Sequence, residues 1–277
     1  MTSWDIATTG TLGTGTSKTQ INGSNPLTKP TQAANLIEVV PYMAASAAHT
    51  AAETMLVKWT IESNSINLLP KESIVPPIAG GLGTFGAAEI PILESYICNT
   101  PLQPASTQQF KIFGTPQISN TAAPRLGMAF HYSTASPVNP EHFYTTPSSE
   151  TSTGTAATSV AGGTMTINDG LWLEDLYAVV TSGVVTASES YIGYMDFSSN
   201  DFENSMPLKI PIQPVAAGLG TTTSIHLPKM FSVHNVHMGM KSTVTLNTAY
   251  NQEEALTAAG SFYTSVGYTK TDAPRPR

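Results

Sequence analysis

Residues 70–91 (PKESIVPPIAGGLGTFGAAEIP) and residues 207–228 (PLKIPIQPVAAGLGTTTSIHLP) are two versions of one stretch, 137 positions apart. Without gaps, 8 of the 22 positions are identical, and most of these hold Gly or Pro, the residues that fix backbone shape. The identical pairs are Pro70/Pro207, Pro77/Pro214, Ala79/Ala216, Gly81/Gly218, Leu82/Leu219, Gly83/Gly220, Thr84/Thr221 and Pro91/Pro228. A repeat that keeps its turns while changing its side chains is a repeat of fold, so the sequence predicts a duplicated domain.

The similarity extends outward from this stretch on both sides. The further matched segments are 36–39 with 173–176 at the same offset, 108–113 with 242–247 at offset 134, and 127–132 with 260–265 at offset 133. The resulting division of the chain is a polar N-terminal arm over 1–35, a first half over 36–134, an inter-domain surface loop over 135–165, a second half over 166–270 and a C-terminal tail over 271–277. A repeat of two long units predicts two complete domains in tandem rather than a solenoid.

The composition favours an all-β chain. Charged residues make up only 11%, too few to cover long solvent-facing helices, and 20 Pro and 21 Gly are scattered along the length. Alternation of apolar and polar residues in 110–112 and 244–246 is typical of half-buried strands. At most one short helix is expected in each half, at 252–259 and, in a shorter form, at 119–126.

The charge and cysteine content disfavour several classes of protein. The net charge is −7, and the only basic cluster is the terminal Arg275-Pro276-Arg277, so direct sequence-specific nucleic-acid binding is not expected. The single cysteine, Cys98, cannot form an intrachain disulfide and is interpreted as a small apolar core residue. No stretch approaches 18 apolar residues, and the N-terminus lacks the apolar region of a signal peptide, which suggests folding in a cytosol.

Short motifs that could carry chemistry are each better explained structurally. Residues 10–19 partly match a phosphate-binding loop, but Ser17 replaces the glycine before the lysine and no strand is predicted before it. Asn22-Gly23-Ser24 fits a glycosylation acceptor without a secretory signal. Two further groups contain possible metal ligands, namely His226, His234 and His237, and Asp196, Asp201 and Glu203.

Neither group has the geometry that a metal requires. His234 and His237 are an odd number of positions apart, so on a strand they face opposite sides. The acidic group lacks the spacing of a calcium loop and is interpreted as a solvated turn. No nucleophile elbow, zinc-binding His-Glu pair or cysteine pair occurs. We therefore predict no catalytic, cofactor-binding or metal-binding residues, no cofactor, and a protein that is not an enzyme.

The duplicated all-β halves, the Pro/Gly corners between strands, the helix expected before a late strand and the low-charge acidic chain together resemble the double jelly-roll major capsid proteins. These form the shells of tailless icosahedral viruses, including membrane-containing phages, archaeal viruses and, in larger form, adenovirus. The resemblance covers about 36–268 and rests on architecture and repeat rather than on one motif. It implies two tandem jelly-roll β-sandwiches.

The resemblance also implies a function and partners. Three two-lobed copies would make a pseudo-hexagonal trimer that tiles an icosahedral shell, so the protein would be a structural component of a virion assembled in host cytoplasm. Its partners would be other copies of itself, capsid proteins such as a pentameric vertex protein, and an internal membrane where one is present. The 1–35 arm would reach toward neighbouring subunits or that membrane.

Three alternatives remain open at this stage. A jelly-roll carbohydrate- or receptor-binding module is one, although Trp4, Trp59 and Trp172 are few for a sugar platform and the latter two lie in predicted strands. A double-barrel enzyme of the bicupin type is another, but the histidines do not repeat at the offsets of the duplication. A picorna-like shell protein is the third, and the internal duplication argues against it.

Overall fold

In the computed structural model the chain divides into two compact units, Met1–Phe143 and Tyr144–Arg277. The residues that the structure describes are 1–23, 27–45, 53–63, 71–74, 78–80, 95–103, 109–117, 119–138, 141–144, 148–152, 155–156, 158–159, 165–167, 171–181, 189–198, 208–217, 229–237, 244–252 and 260–270. Every regular element among them is a β-strand, which confirms the predicted all-β class.

The first unit contains eleven described strands. They are β1 (Thr2–Thr11), β2 (Thr19–Gln20), β3 (Leu27–Thr28), β4 (Asn35–Ala45), β5 (Glu53–Met55), β6 (Val57–Ser63), β7 (Lys71–Ile74), β8 (Ile78–Gly80), β9 (Tyr96–Pro101), β10 (Gln109–Pro116) and β11 (Pro124–Ser133). One sheet has the order β1-β11-β4-β9, and the other has β2-β10-β6-β7 with β3 also on β10. The short strands β5 and β8 pair with each other.

The core of the first unit lies between these two sheets. Phe110 from β10 stacks on Phe130 from β11 with ring centroids 5.8 Å apart, and both are fully buried. Trp59 on β6 meets the edge of Tyr96 on β9 at 5.2 Å. Because the buried positions of β10 alternate with more exposed ones, one face of its sheet supplies this core and the other faces outward.

The second unit contains ten described strands, of which β12 crosses the boundary. They are β12 (His142–Tyr144), β13 (Ser148–Ser152), β14 (Thr158–Ser159), β15 (Met165–Ile167), β16 (Leu171–Thr181), β17 (Glu189–Ser198), β18 (Leu208–Ala217), β19 (Lys229–His237), β20 (Val244–Gln252) and β21 (Gly260–Lys270). One sheet has the order β12-β21-β16-β19 with β13 also on β21, and the other has β14-β20-β17-β18 with β15 also on β20.

The two units share one strand order. Each unit has eight main strands. This count treats three pairs as single interrupted strands, namely β2 with β3, β12 with β13, and β14 with β15. It leaves out the short strands β5 and β8. The first, eighth, third and sixth form one sheet, and the second, seventh, fourth and fifth form the other. This is the eight-stranded order of a jelly roll. The predicted tandem pair of jelly-roll sandwiches, arising from an internal duplication, is confirmed.

A duplicated β-bulge fixes how the repeats align. In β4 the register shifts between Leu36 and Glu38, and in β16 it shifts between Leu173 and Asp175, as the offset of 137 predicts. Leu36 pairs with Tyr132, and Leu173 pairs with Tyr268. The last strands therefore align at an offset of 136, and the sequence alignment of 133 was three residues out. An alignment error of an odd number of residues would assign every side chain of the strand to the wrong face of the sheet.

Two segments that the sequence places outside the two domains instead form strands within those domains. The predicted arm over 1–35 contains β1 to β3, and β1 pairs with β11 from Thr2↔Ser133 to Thr11↔Arg125. The predicted surface loop over 135–165 contains β12 to β14, and β15 begins at its end. Both expectations require correction, since polar, Thr-rich sequence also forms the edge strands of a sandwich, where only one face is buried.

The short helix predicted at 119–126 is wrong. Pro124 and Arg125 begin β11 and pair with Ala45 and Ala44 of β4, because pairing with a neighbouring strand outweighs a weak helical pattern. The other predicted helix lies outside the described residues except for Gln252, which ends β20. The Gly-Leu-Gly corners at 81–83 and 218–220 also lie outside them. Within the described part of the chain, no helix is long and apolar enough to cross a membrane.

Candidate functional site

The outer face of the first sheet carries a row of side chains that crosses all four strands. Trp4 on β1 lies opposite His131 on β11, His131 lies opposite Glu38 on β4, and Glu38 lies opposite Ile97 on β9. The row faces away from the core, because the neighbours of His131 along β11, Phe130 and Tyr132, are both fully buried. Trp4 is 54% exposed and Ile97 is 43% exposed, so the two ends of the row are open to solvent.

The bulge in β4 determines which side chain joins this row. Ile37 is the extra residue, and the shift leaves Glu38 opposite both His131 and Ile97. On the other side β9 is also irregular between Ile97 and Thr100, where Asn99 has a φ of 46°. Asn tolerates this left-handed conformation better than most residues. Bulges commonly redirect side chains near functional sites, and here one places a carboxylate beside an imidazole.

Glu38 is held by two hydrogen bonds. His131 Nδ1 lies 2.9 Å from Glu38 Oε1, and the Ser95 hydroxyl donates to Glu38 Oε2. The indole of Trp4 stacks on the imidazole of His131 with ring centroids 4.3 Å apart and planes 5° from parallel. We refer to Trp4, Glu38, Ser95 and His131 as the Trp4 cluster. Trp4, Glu38 and His131 lie on β1, β4 and β11, and Ser95 directly precedes β9. Each side chain is held in place by contacts with the others.

The hydrogen bonds determine what the Trp4 cluster offers to a ligand. An ionised carboxylate only accepts, so His131 Nδ1 carries the proton that it donates to Glu38. In the neutral ring Nε2 is then an acceptor, and it has no hydrogen-bond partner among the described residues. The carboxylate oxygens keep further acceptor capacity. One face of the Trp4 indole is covered by His131, while the side chain as a whole remains more than half exposed.

The arrangement is suited to recognition rather than to covalent chemistry. A serine nucleophile needs its hydroxyl on a basic ring nitrogen, whereas Ser95 donates to the carboxylate. The cluster also lies on the outer face of a sheet and includes none of the residues that line the described cavity of about 360 Å³ near Thr2 and Ser133. A rigid aromatic surface beside a fixed carboxylate can instead bind a ligand by stacking and hydrogen bonding.

The residues that the sequence singled out fall in different places. Cys98 is fully buried, as predicted, and Trp59 is also fully buried. His234 and His237 lie on β19, and Asp196 lies on β17, whereas His226, Asp201 and Glu203 lie outside the described residues. Among the described side chains, no group of three His, Cys, Asp or Glu could hold a metal ion.

The partial phosphate-loop match needs a corrected explanation. A strand does precede it, since β1 ends at Thr11, contrary to the expectation from sequence. The segment that follows leads into strand β2 at Thr19 rather than into a helix. The positive end of a helix is what binds phosphate in such loops, so the match has no structural counterpart.

The Trp4 cluster is not recognisable from the amino-acid sequence. Its four members are spread between positions 4 and 131, and only the sheet register brings them together. The sequence predicts that Trp4 lies in an arm, and it shows Glu38 only as part of a repeated segment. The one usable signal is that repeat, because the bulge at 36–38 recurs at 173–175 and each ends on an acidic residue, Glu38 or Asp175.

Comparison with known proteins yields resemblance in fold only. No family model and no curated protein matches the chain. Among solved structures, N-glycanase F matches 99% of this chain and 97% of its own at 8% identity and a TM-score of 0.49. A peptide-N(4)-(N-acetyl-beta-D-glucosaminyl)asparagine amidase matches 100% and 98% at 7% identity and 0.49. A chain from infectious bursal disease virus matches 99% and 73% at 8% identity and 0.29.

These neighbours correct one prediction. The sequence predicts a protein that is not an enzyme, yet the solved structures that match it over nearly its whole length include an amidase. That prediction is therefore wrong, since an all-β architecture of this kind also occurs in enzymes. A virus is represented as well, at lower similarity. The likeness extends to the fold and assigns no residue of this chain to an active site.

Proposed function

We propose that this chain is a structural subunit of a viral shell and that three copies associate into a trimer with a pseudo-hexagonal outline. The observation that supports this most strongly is the shared strand order of the two units. Two similar lobes in each of three copies give six nearly equivalent sides, and hexagonal tiles cover a surface without gaps. In this proposal the protein acts in the virion, and its partners are further copies, a pentameric vertex protein and an internal membrane where one is present.

The composition supports the same proposal. Only 11% of the residues are charged, which leaves extensive neutral surface for contact between subunits. Threefold closure uses heterologous contacts, in which one surface of a copy meets a different surface of the next. Two lobes that share a fold and differ in sequence are suited to such contacts, because each can carry one side of the interface.

The test is the mass of the protein in solution. Native mass spectrometry at micromolar concentration should give a species near three times 29.2 kDa, roughly 88 kDa. Negative-stain electron microscopy of the same sample should show particles with six nearly equal sides. A uniform 29.2 kDa monomer that forms neither trimers nor shells would contradict the proposal.

A further inference from the structure

Asn22 lies in the gap between β2 and β3, both of which pair with β10. Its side-chain amide takes the place of a strand backbone in this gap. Asn22 Nδ2 donates to the Phe110 carbonyl at 2.8 Å, and Asn22 Oδ1 accepts from the Ile112 N–H at 3.2 Å. Because Phe110 and Ile112 both lie on β10, the carboxamide holds the interrupted edge strand against that strand.

A third hydrogen bond fixes the same carboxamide. The Gln20 side-chain amide donates to Asn22 Oδ1 at 3.1 Å and also to the Gly23 carbonyl. Asn22 thus has one acceptor for its Nδ2 and two donors for its Oδ1, which hold the side-chain amide in a single orientation.

The residue that follows makes this amide chemically reactive. Asn22 is the only asparagine in the chain that precedes a glycine. Gly23 is exposed and has a φ of 55°, and no other described residue lies within 4 Å of the position that a Cβ would take. Its backbone nitrogen is therefore unshielded, and a glycine rotates freely enough to bring that nitrogen to Asn22 Cγ.

The reaction open to this pair is deamidation through a succinimide. The Gly23 nitrogen gives up its proton to water and bonds to Asn22 Cγ, and the bond from Cγ to Nδ2 breaks as Nδ2 takes up a proton and leaves as ammonia. Water then opens the cyclic imide. Opening at Cγ yields aspartate, and opening at the backbone carbonyl yields isoaspartate. The steps together consume one water, release one ammonia and leave one negative charge on the chain.

The contacts with β10 oppose this reaction. Attack makes Cγ tetrahedral, whereas the bonds to Phe110 and Ile112 require a planar carboxamide that faces β10. The side chain must therefore leave β10 before Gly23 can attack it. Such a departure is a local opening of the sheet edge, and its free energy sets the rate of the reaction in the folded protein.

Deamidation would in turn keep the edge from closing again. A carboxylate has no proton to donate, so the oxygen that replaces Nδ2 would face the Phe110 carbonyl at a position only 2.8 Å away. Two acceptors at that distance repel each other. Isoaspartate also adds a carbon to the backbone beside Ile21, whose N–H donates to the Ile112 carbonyl at 2.9 Å.

We propose that Asn22 is a deamidation site that the fold keeps closed, and that its modification irreversibly releases β2 and β3 from β10. The site converts the time that this edge spends open into a permanent charge and a loosened strand. This inference is independent of whether the chain assembles.

Peptide-mapping mass spectrometry of the full chain, incubated at mildly alkaline pH, measures the rate of conversion. Asn22 should deamidate at least about tenfold more slowly than in the unstructured peptide KTQINGS (18–24), which corresponds to a local opening free energy of about 1.4 kcal/mol or more. Gln20→Ala removes the third hydrogen bond, so it should raise the rate about fivefold in the folded chain and leave the peptide rate unchanged.

The matched control is Gln117→Ala. This substitution removes another side-chain amide, one that donates to the Thr115 carbonyl at 2.8 Å and does not contact Asn22. It should leave the rate of deamidation at Asn22 as it is in the parent chain.

Hydrogen exchange of Asn22→Asp, which carries the aspartate product, tests the structural consequence. The Ile21 amide should exchange at least about tenfold faster than in the parent, because the edge no longer closes. The Leu12 amide, which donates to the Pro124 carbonyl at 2.8 Å, should keep its rate. Asn22→Ala loses the same side-chain bonds without adding a charge and should have a smaller effect.

Several outcomes would overturn the inference. They are an Asn22 in the folded chain that converts as fast as in the peptide or never converts, a rate that Gln20→Ala leaves unchanged, and an Ile21 amide that stays protected in Asn22→Asp. If Asn22→Asp does not fold, the comparison of rates between folded chain, peptide and Gln20→Ala decides the matter.

Discussion

Gly10 illustrates how closely the backbones of the first unit approach one another. It lies in β1 next to a register shift, and a Cβ added there would lie 2.7 Å from the Ile21 Cα. Ile21 cannot move easily, because its N–H donates to the Ile112 carbonyl at 2.9 Å and its side chain is buried. The glycine is therefore needed for space where the chain leaves β1.

Gly10→Ala should lower the free energy of unfolding by about 1–3 kcal/mol, since the added methyl group overpacks a backbone contact. Gly15→Ala is the matched control, because nothing lies within 4 Å of a Cβ at that position. Denaturant unfolding followed by circular dichroism measures both variants. Equal stability of the two would show that the β1 backbone does not approach Ile21 as described.

Tyr132 is a second site where a single atom affects stability. The side chain is fully buried, and its hydroxyl has no hydrogen-bond partner among the described residues. Burial raises the pKa of Tyr132 above its usual value, and the neighbouring charge of Asp5 raises it further. The folded state therefore retains the proton to a higher pH than the unfolded state, in which tyrosine ionises near pH 10.

The contribution of Tyr132 to the free energy of unfolding should therefore be constant below about pH 10 and should fall as the pH rises further. Tyr132→Phe should reduce that alkaline loss and should stabilise the protein by about 1 kcal/mol at neutral pH, because it removes an unpaired buried hydroxyl. Urea unfolding at pH 7 and pH 10.5 tests both effects. Some alkaline loss should persist, since burial also raises the pKa of Tyr268. A variant less stable than the parent at pH 7 would indicate that the hydroxyl has a partner.

Strand β1 completes the sheet that carries the Trp4 cluster. It covers one edge of β11, and the chain that follows it buries Leu12, whose N–H donates to the Pro124 carbonyl at 2.8 Å. Without β1, the hydrogen-bonding groups of β11 on that side would face solvent. The N-terminal segment is thus part of the fold and not an appendage.

Deleting residues 1–11 should therefore abolish the cooperative thermal unfolding of the first unit, or lower its midpoint by more than 10 °C, roughly the effect of 2 kcal/mol or more on a domain of this size. Differential scanning calorimetry on the full and the shortened chain measures this. A shortened chain with an unchanged midpoint would restore the original interpretation of the segment as an arm.

The same elements show which parts of the fold a sequence reveals. The duplication was predictable because glycines, prolines and the 36–39 segment keep their positions, and the structure places a bulge in each copy there. The edge strands β1 and β13 were not predictable, because their polar residues show no clear alternation and because the strands form by pairing with distant partners. The Trp4 cluster could not be predicted for a related reason. Its cross-strand neighbours are up to 127 positions apart in the sequence, as Trp4 and His131 are.

We propose that this duplicated jelly roll is a self-assembling shell subunit. Its two units share a strand order, and only 11% of its residues are charged. Native mass spectrometry of the purified full chain tests this proposal. A dominant species near 88 kDa, roughly three times 29.2 kDa, is the predicted result. A monomer that persists at micromolar concentration and assembles under no condition would contradict it.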